Sequence, residues 1–280
     1  MVESLKIISW NMAHRIEPWR VLVDCGVDAA LIQEARCPPP DVQALVQIDG
    51  AEWGTMHGAT ERPWRTAVVR LSDRVRLRHW SLAPLTSASE HEVAVSVPGT
   101  LAVADVEILE TQECFTLASL YGLWETPAAR TGSNWIYADA SVHRLVSDLS
   151  ALIGRQQGHK LIAAGDLNVL HGYGEYGSPY WKARYDTIFA RMEALGLRFV
   201  GPQAPDGGVQ AMPWPAELPL DSRNIPTYRT RQKKPETGTR QLDYVFASSG
   251  IYGRVSTRAL NAPEDWGPSD HCQVLIELEV

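Results

Sequence analysis

The stretch AAGDLNVLHG, residues 163–172, sets two hydrogen-bonding side chains, Asp166 and Asn168, directly after a short apolar run and a glycine. Gly, Asp and Asn all favour turns, through left-handed backbone tolerance and local side-chain hydrogen bonds, so a plain turn closing a buried strand is one account. The other is a functional rim, in which Gly165 lets the chain turn so that an acid and an amide two residues apart face one site. The rest of the chain repeats the pattern. Asn11 follows the apolar run Leu5–Ser9 (LKIIS) by two residues, and Glu34 follows Ala29–Ile32 (AALI) by two. Asp243 instead opens the run DYVFA, and Asp270 and His271 open CQVLIEL. If these last two strands run antiparallel to the first three, their beginnings share one rim with the others' ends, and all seven polar groups converge.

Four carboxylates gathered at one rim repel one another unless a cation sits among them. A hard divalent ion with oxygen ligands removes that penalty, and Mg²⁺ takes one or two carboxylates while keeping waters and substrate phosphate oxygens. Asn adds an NH₂ donor for an anionic substrate without adding negative charge. A set of Asp, Glu, Asn and one His therefore suits metal-assisted phosphate ester hydrolysis better than glycoside or peptide chemistry.

SWN at residues 9–11, IQE at 32–34, GDLN at 165–168, LDYVF at 242–246 and SDH at 269–271 stand in that order. Together they resemble the endonuclease/exonuclease/phosphatase superfamily, the DNase I-like fold, over nearly the whole chain from Asn11 to His271. The resemblance implies a four-layered α/β sandwich of two packed mixed β-sheets flanked by helices, as one domain over residues 1–280. It implies Mg²⁺ or Mn²⁺ as cofactor, with Glu34 the principal ligand and Asn11 and Asp270 beside it. Asp166 would orient or deprotonate the attacking water, and Asn168 would hold a phosphate oxygen. Asp243 and His271 would form a carboxylate–imidazole pair, and Tyr121 in SLYG would stand near the phosphate or leaving group. Two departures speak against abasic-site repair: Ala13 stands where members acting on abasic DNA often carry an acid, and Gln241 where they tend to have Arg, with Arg240 one place back.

Composition agrees with a large core, at 280 residues and 45% hydrophobic content. Apolar runs of strand length recur at Thr66–Leu71, Val93–Val97, Leu101–Ile108, Phe115–Leu120, Leu161–Ala164, Leu242–Ala247 and Gln273–Leu278. Helical spacing marks Ala138–Ile153, with Gly154 as its C-terminal glycine, and Pro179–Leu195, ended by Gly196. Shorter helices are expected over Pro18–Asp24 and Pro40–Val46. The Pro-rich segment Gly201–Pro226 reads as a long surface loop. MVESLKIISW lacks the charged and longer apolar regions of a signal peptide, and no run approaches a membrane span, so a cytoplasmic protein without stable membrane association is the default. The dispersed cysteines Cys25, Cys37, Cys114 and Cys272 form no CxxC pair and are expected reduced and mostly buried.

The net charge of −7 weakens the case for a protein that binds long nucleic acid over its whole surface, without excluding a local basic groove. One such groove would use RTRQKK, Arg229–Lys234, which is otherwise a solvated loop. Tyr173, Tyr176, Tyr180 and Trp181 just past Asn168 would either stack a base, sugar or head group or pack under the following helix. The expected substrate is DNA or RNA, with a small phosphorylated metabolite or lipid head group as the alternative. A catalytically silent binding module is the rival from another class, and the completeness of the polar set argues against it.

Overall fold

The computed structural model describes residues 4–57, 60–125, 138–153 and 159–280; Gly154 lies outside them. In chain order the elements run β1 (Leu5–Asn11), α1 (Glu17–Asp24), β2 (Ala29–Ala35), α2 (Pro40–Gln43), β3 (Thr55–His57), β4 (Thr60–Arg62), β5 (Arg65–Arg70) and β6 (Val75–His79). They continue with β7 (Leu82–Pro84), β8 (Val93–Val95), β9 (Leu101–Ile108), β10 (Cys114–Tyr121), α3 (Asp139–Ile153), β11 (Leu161–Asp166) and α4 (Pro179–Ala194). The chain closes with β12 (Leu197–Gly201), β13 (Asp243–Ser248), β14 (Val255–Leu260) and β15 (Gln273–Leu278).

Two mixed sheets form from these strands, a five-stranded one in the order β14–β15–β1–β2–β5 and a six-stranded one in the order β12–β13–β11–β10–β9–β6. Their facing sides meet in an apolar layer that includes Leu5, Ile7, Leu31 and Val68 from one sheet and Leu117, Ile162 and Val245 from the other. Strands buried on both faces read as near-continuous apolar runs, which is why LIAAG and AALI carry almost no polar residue. On the outer face of the six-stranded sheet, Val142, Leu145, Val146 and Leu149 of α3 pack with Trp181, Tyr185, Ile188 and Met192 of α4. Trp19 and Leu22 of α1 and Val42 of α2 cover the other sheet, giving four layers. α4 starts on Pro179 in its first turn and ends before Gly196, whose φ of 81° is the left-handed stop that glycine accepts.

The long helices stand where the spacing places them, and no helix or strand interrupts the chain from Pro202 to Pro226. α2 is shorter than expected, ending at Gln43. The strands not foreseen include β6, β12 and β14, each at the edge of its sheet. Edge strands are half solvated, so β6 alternates buried Val75 and Leu77 with exposed Arg76 and Arg78, and the charges leave too short an apolar run to stand out. The cysteines are free, as expected, but only Cys272 is buried; Cys37 and Cys114 are exposed and Cys25 is half-buried. Cys114 opens β10 on the solvated side of its strand, which the residue type alone does not reveal. Among the described residues, no helix is long and apolar enough to cross a membrane.

Candidate active site

β1 and β2 run parallel, as do β10 and β11, so Asn11, Glu34, Tyr121 and Asp166 arrive at one end of the sandwich. β15 lies antiparallel to β1, and β13 antiparallel to β11, so Asp243 and the SDH segment begin at that same end. Asp166 stands opposite Tyr121 on one side of its ladder and opposite Asp243 on the other. Gly165 does not turn the chain, contrary to the sequence-based expectation. β11 continues through it, and a Cβ there would lie 1.9 Å from the Leu120 carbonyl oxygen, so glycine is required by the close approach of β10.

Asp166 is the hub. It is 1% exposed, and its Oδ2 accepts the side-chain amides of Asn11 at 2.9 Å and Asn168 at 3.0 Å. Its Oδ1 accepts the Asn168 backbone N–H at 2.8 Å, so a local turn follows the strand while both side chains meet at the same rim. The Asn168 amide also donates to the Gly122 carbonyl at 2.9 Å, which commits both of its N–H groups within the protein. Asn11 Oδ1 accepts the Ala13 N–H at 2.8 Å. His271 Nδ1 lies 2.8 Å from Asp243 Oδ2, while its Nε2 faces Asp166 Oδ2 at 3.7 Å. Ligand-type atoms of Asp166, Asp243 and His271 all lie within 4.8 Å of one another.

Buried polar contacts hold this centre. Ser269 Oγ donates to the Asn11 carbonyl at 2.6 Å and accepts the His271 N–H at 3.1 Å, and the Trp10 indole donates to the His271 carbonyl at 2.9 Å. Thr227 Oγ1 accepts the backbone N–H groups of Leu242 and Asp243 at 3.0 and 3.1 Å. Burial raises the Asp166 carboxyl well above its ordinary range; the His271 charge opposes this, while Asp243 and Glu34 add to it. Burial works to lower His271, but the Asp243 and Asp166 carboxylates outweigh it and push the imidazole up to about 10.

Glu34 occupies a neighbouring corner. Gln33 and Glu34 together face Thr66 of β5 where the register shifts between Ile32 and Ala35. This bulge, with Glu34 at φ 47°, re-aims its side chain to the rim. Burial works to raise the Glu34 carboxyl, but the His14 imidazole and the Tyr121 hydroxyl outweigh it and hold it below its ordinary value. His14 Nε2 lies 2.8 Å from Glu34 Oε2. The Tyr121 phenol is raised well above its usual value by burial and by the Glu34 and Asp166 charges. Trp64 stacks on His14 at 4.8 Å and meets Tyr121 edge-on at 5.3 Å, with the Arg62 guanidinium 5.3 Å over its ring.

All eight expected site residues therefore stand at one rim. Asp270 is linked through its charge on His271, and its carbonyl accepts the Arg229 N–H. The RTRQKK run thus runs beside the SDH segment, with Arg231, Lys233 and Lys234 exposed. The aromatic loop divides: Tyr173 and Trp181 pack in the core, whereas Tyr176 and Tyr180 are exposed. Gln241 is buried and serves structure, accepting from Ile225 and donating to the Pro202 carbonyl, and Arg240 pairs with Glu175 at 2.8 Å.

The pattern of strand-end polar residues missed His14, Arg62, Trp64, Thr227 and Tyr228. The Tyr228 ring contacts His271 at 5.0 Å, and its phenol is raised by burial and then by the charges of Asp270, Asp166 and Glu34, so it sits among all three. These residues lie in connections, one step outside strands or, for Arg62, at the end of the three-residue β4, where no periodicity marks them. For His14 the one available signal was its place three residues after Asn11.

A model of the Endonuclease/Exonuclease/phosphatase family matches residues 8–271, and the chain belongs to that family, whose members hydrolyse phosphoesters. No curated protein matches the chain significantly. Among solved structures, the chain resembles the endonuclease domain of TRAS1, a telomere-specific non-LTR retrotransposon, with 16% identity, TM-score 0.62 and 99% of both chains covered. It resembles the AP endonuclease LMAP from Leishmania major with 15% identity, TM-score 0.62, and 99% of this chain and 88% of that one covered. It also resembles the mannosyl-6-phosphatase Bt3783 of Bacteroides thetaiotaomicron with 16% identity, TM-score 0.60, and 99% and 100% covered.

Proposed function

We propose that this chain is a Mg²⁺- or Mn²⁺-dependent phosphodiester hydrolase of nuclease type. The observation that carries the proposal is the buried chain from Asn11 and Asn168 through Asp166 to His271 and Asp243, an acid and an imidazole that both hold their protons more tightly than usual, at one rim. The donor set fits a hard divalent ion: Glu34 is held in its anionic form, Asp270 stands at the same rim, and Asn11 Oδ1 keeps a lone pair beyond its bond to Ala13. Such an ion, when bound, polarises the phosphoryl oxygens and offsets the carboxylate charge.

The protein's own groups perform the rest. Asp166, whose burial strengthens its hold on a proton, accepts one from the attacking water. Asn11 and Asn168 position Asp166 by donating to the same oxygen, and this is the role the geometry supports for Asn168 in place of a free phosphate donor. His271 donates from Nδ1 to Asp243, which fixes its orientation, and in its charged form carries a second proton on Nε2, facing Asp166, where it can donate to a phosphate oxygen as charge accumulates. Phosphates along a strand would meet Arg62 and the exposed run Arg231–Lys234, and exposed Tyr176 and Tyr180 offer faces on which bases stack.

The test is one panel with Mg²⁺ or Mn²⁺: single- and double-stranded DNA, RNA, bis-p-nitrophenyl phosphate, a hexose phosphate, a phosphoinositide and sphingomyelin. Asp166→Ala serves as the blank. Cleavage of a nucleic acid that is lost by several orders of magnitude in Asp166→Ala supports the proposal. Turnover confined to the sugar phosphate or lipid refutes the nuclease assignment and keeps the hydrolase, and no turnover with no metal binding at millimolar concentration leaves a binding module.

A further inference from the structure

We infer that His14 is a ligand of the divalent ion at the Glu34 corner, making this centre a mixed oxygen and nitrogen site that favours a first-row transition ion such as Mn²⁺ or Co²⁺ over Mg²⁺. The inference rests on the metal-dependent function proposed above and specifies the ion. His14 Nε2 is buried and makes no well-directed hydrogen bond among the described residues, although it lies only 2.8 Å from Glu34 Oε2. Two donors about 2.1 Å from one octahedral ion and at right angles to each other stand about 3.0 Å apart, so this separation suits neighbouring ligands of a single ion.

The pair is also built to stay together. The His14 backbone N–H donates to the Glu34 carbonyl at 3.1 Å, tying the turn after β1 to the bulge of β2. Ala13, His14 and Glu34 all sit at positive φ, 51°, 59° and 47°, a conformation uncommon for side-chain-bearing residues, and it aims both side chains at one point. The imidazole is stacked on Trp64 at 4.8 Å with 20° between the planes, which fixes its orientation. Arg62 already lends positive charge to Glu34 and Tyr121, so a neutral nitrogen donor completes the corner without another carboxylate. Imidazole is a poor ligand for Mg²⁺ and a good one for first-row transition ions.

The experiment compares wild type, His14→Asn, His14→Gln and His271→Gln. Asn tolerates the left-handed backbone of position 14, and circular dichroism verifies the fold of each variant. Calorimetry measures Mg²⁺, Mn²⁺ and Co²⁺ binding, and pulsed electron paramagnetic resonance of the Mn²⁺-loaded protein reads nitrogen coupling. The expected result is a nitrogen coupling present in wild type and His271→Gln and absent in both His14 variants, with Mn²⁺ and Co²⁺ affinity lowered about tenfold or more and Mg²⁺ affinity by less than about threefold. Nitrogen coupling that survives in the His14 variants and vanishes in His271→Gln places the ion at the Asp166 corner and overturns the inference. So does an unchanged or increased metal affinity in His14→Asn, which makes His14 a plug on Glu34. If bis-p-nitrophenyl phosphate is cleaved while no nitrogen coupling appears, His14 is no ligand and the hydrolase stands; if no metal binds at all, both fall.

Discussion

Thr227→Val removes one oxygen and tests how Asp243 is held. Thr227 is fully buried, and its Oγ1 accepts the N–H groups of both Leu242 and Asp243. Valine keeps the volume and the branching, so the packing changes little while two buried donors lose their acceptor. Each such orphan costs about 1–3 kcal/mol, and after allowance for the added buried methyl the pair predicts a loss of about 2–4 kcal/mol. For a chain of this size that lowers Tm by roughly 4–10 °C. The kinetic effect follows from Asp243, which orients His271 through its Nδ1 at 2.8 Å. Turnover should fall in kcat with KM nearly unchanged, because the substrate does not touch Thr227. Urea unfolding gives the stability and steady-state kinetics on the cleaved ester gives the split; Thr227→Ser, which keeps the acceptor, should recover most of both. A valine variant within about 0.5 kcal/mol of wild type and equal in kcat would refute the claim that this hydroxyl holds the strand start.

Gly165→Ala places a Cβ against the Leu120 carbonyl oxygen and must part β10 from β11, so soluble expression should collapse or stability fall by about 3 kcal/mol or more, read by denaturant melts. His271, pushed up to about 10 from 6.5, lends the metal-free protein stability that is complete below about pH 6.5 and is lost as pH rises toward 10. The Tm gap between wild type and His271→Gln in chelator should therefore narrow across that window. At the other end of the sandwich, Glu113 is held down to about 2 by Arg254, with burial opposing and Lys160 assisting. The destabilisation caused by Arg254→Ala should be full above about pH 4.5 and vanish toward pH 2, measured by acid titration of fluorescence.

Much of this was legible in the chain. Central strands announce themselves because burial on both faces excludes polar residues, and the acid or amide that ends each run marks the rim. Helices α3 and α4 follow from spacing alone. Edge strands β6 and β14 were hidden by the polar residues of their solvated faces. The Glu34 bulge was invisible, because one extra residue in a ladder leaves no trace in composition. His14, Trp64 and Tyr228 reach the site from connections whose course depends on tertiary packing. Gly165 was noticed for the wrong reason: its missing side chain serves a neighbour strand and not a turn.

The five-stranded sheet supplies Asn11, Glu34 and His271, and the six-stranded sheet supplies Tyr121, Asp166 and Asp243. Two close contacts of the centre, Asn11 to Asp166 and His271 to Asp243, therefore cross the seam between the two halves of the sandwich. A slip of one sheet over the other by a few tenths of an ångström changes both bonds at once. Residues of the seam that never meet substrate, such as Ile162, Leu117 and Val245, set that alignment through their volume. Turnover then works as a gauge of sheet alignment, and selection on catalysis extends to the shape of an apolar interior that no ligand visits.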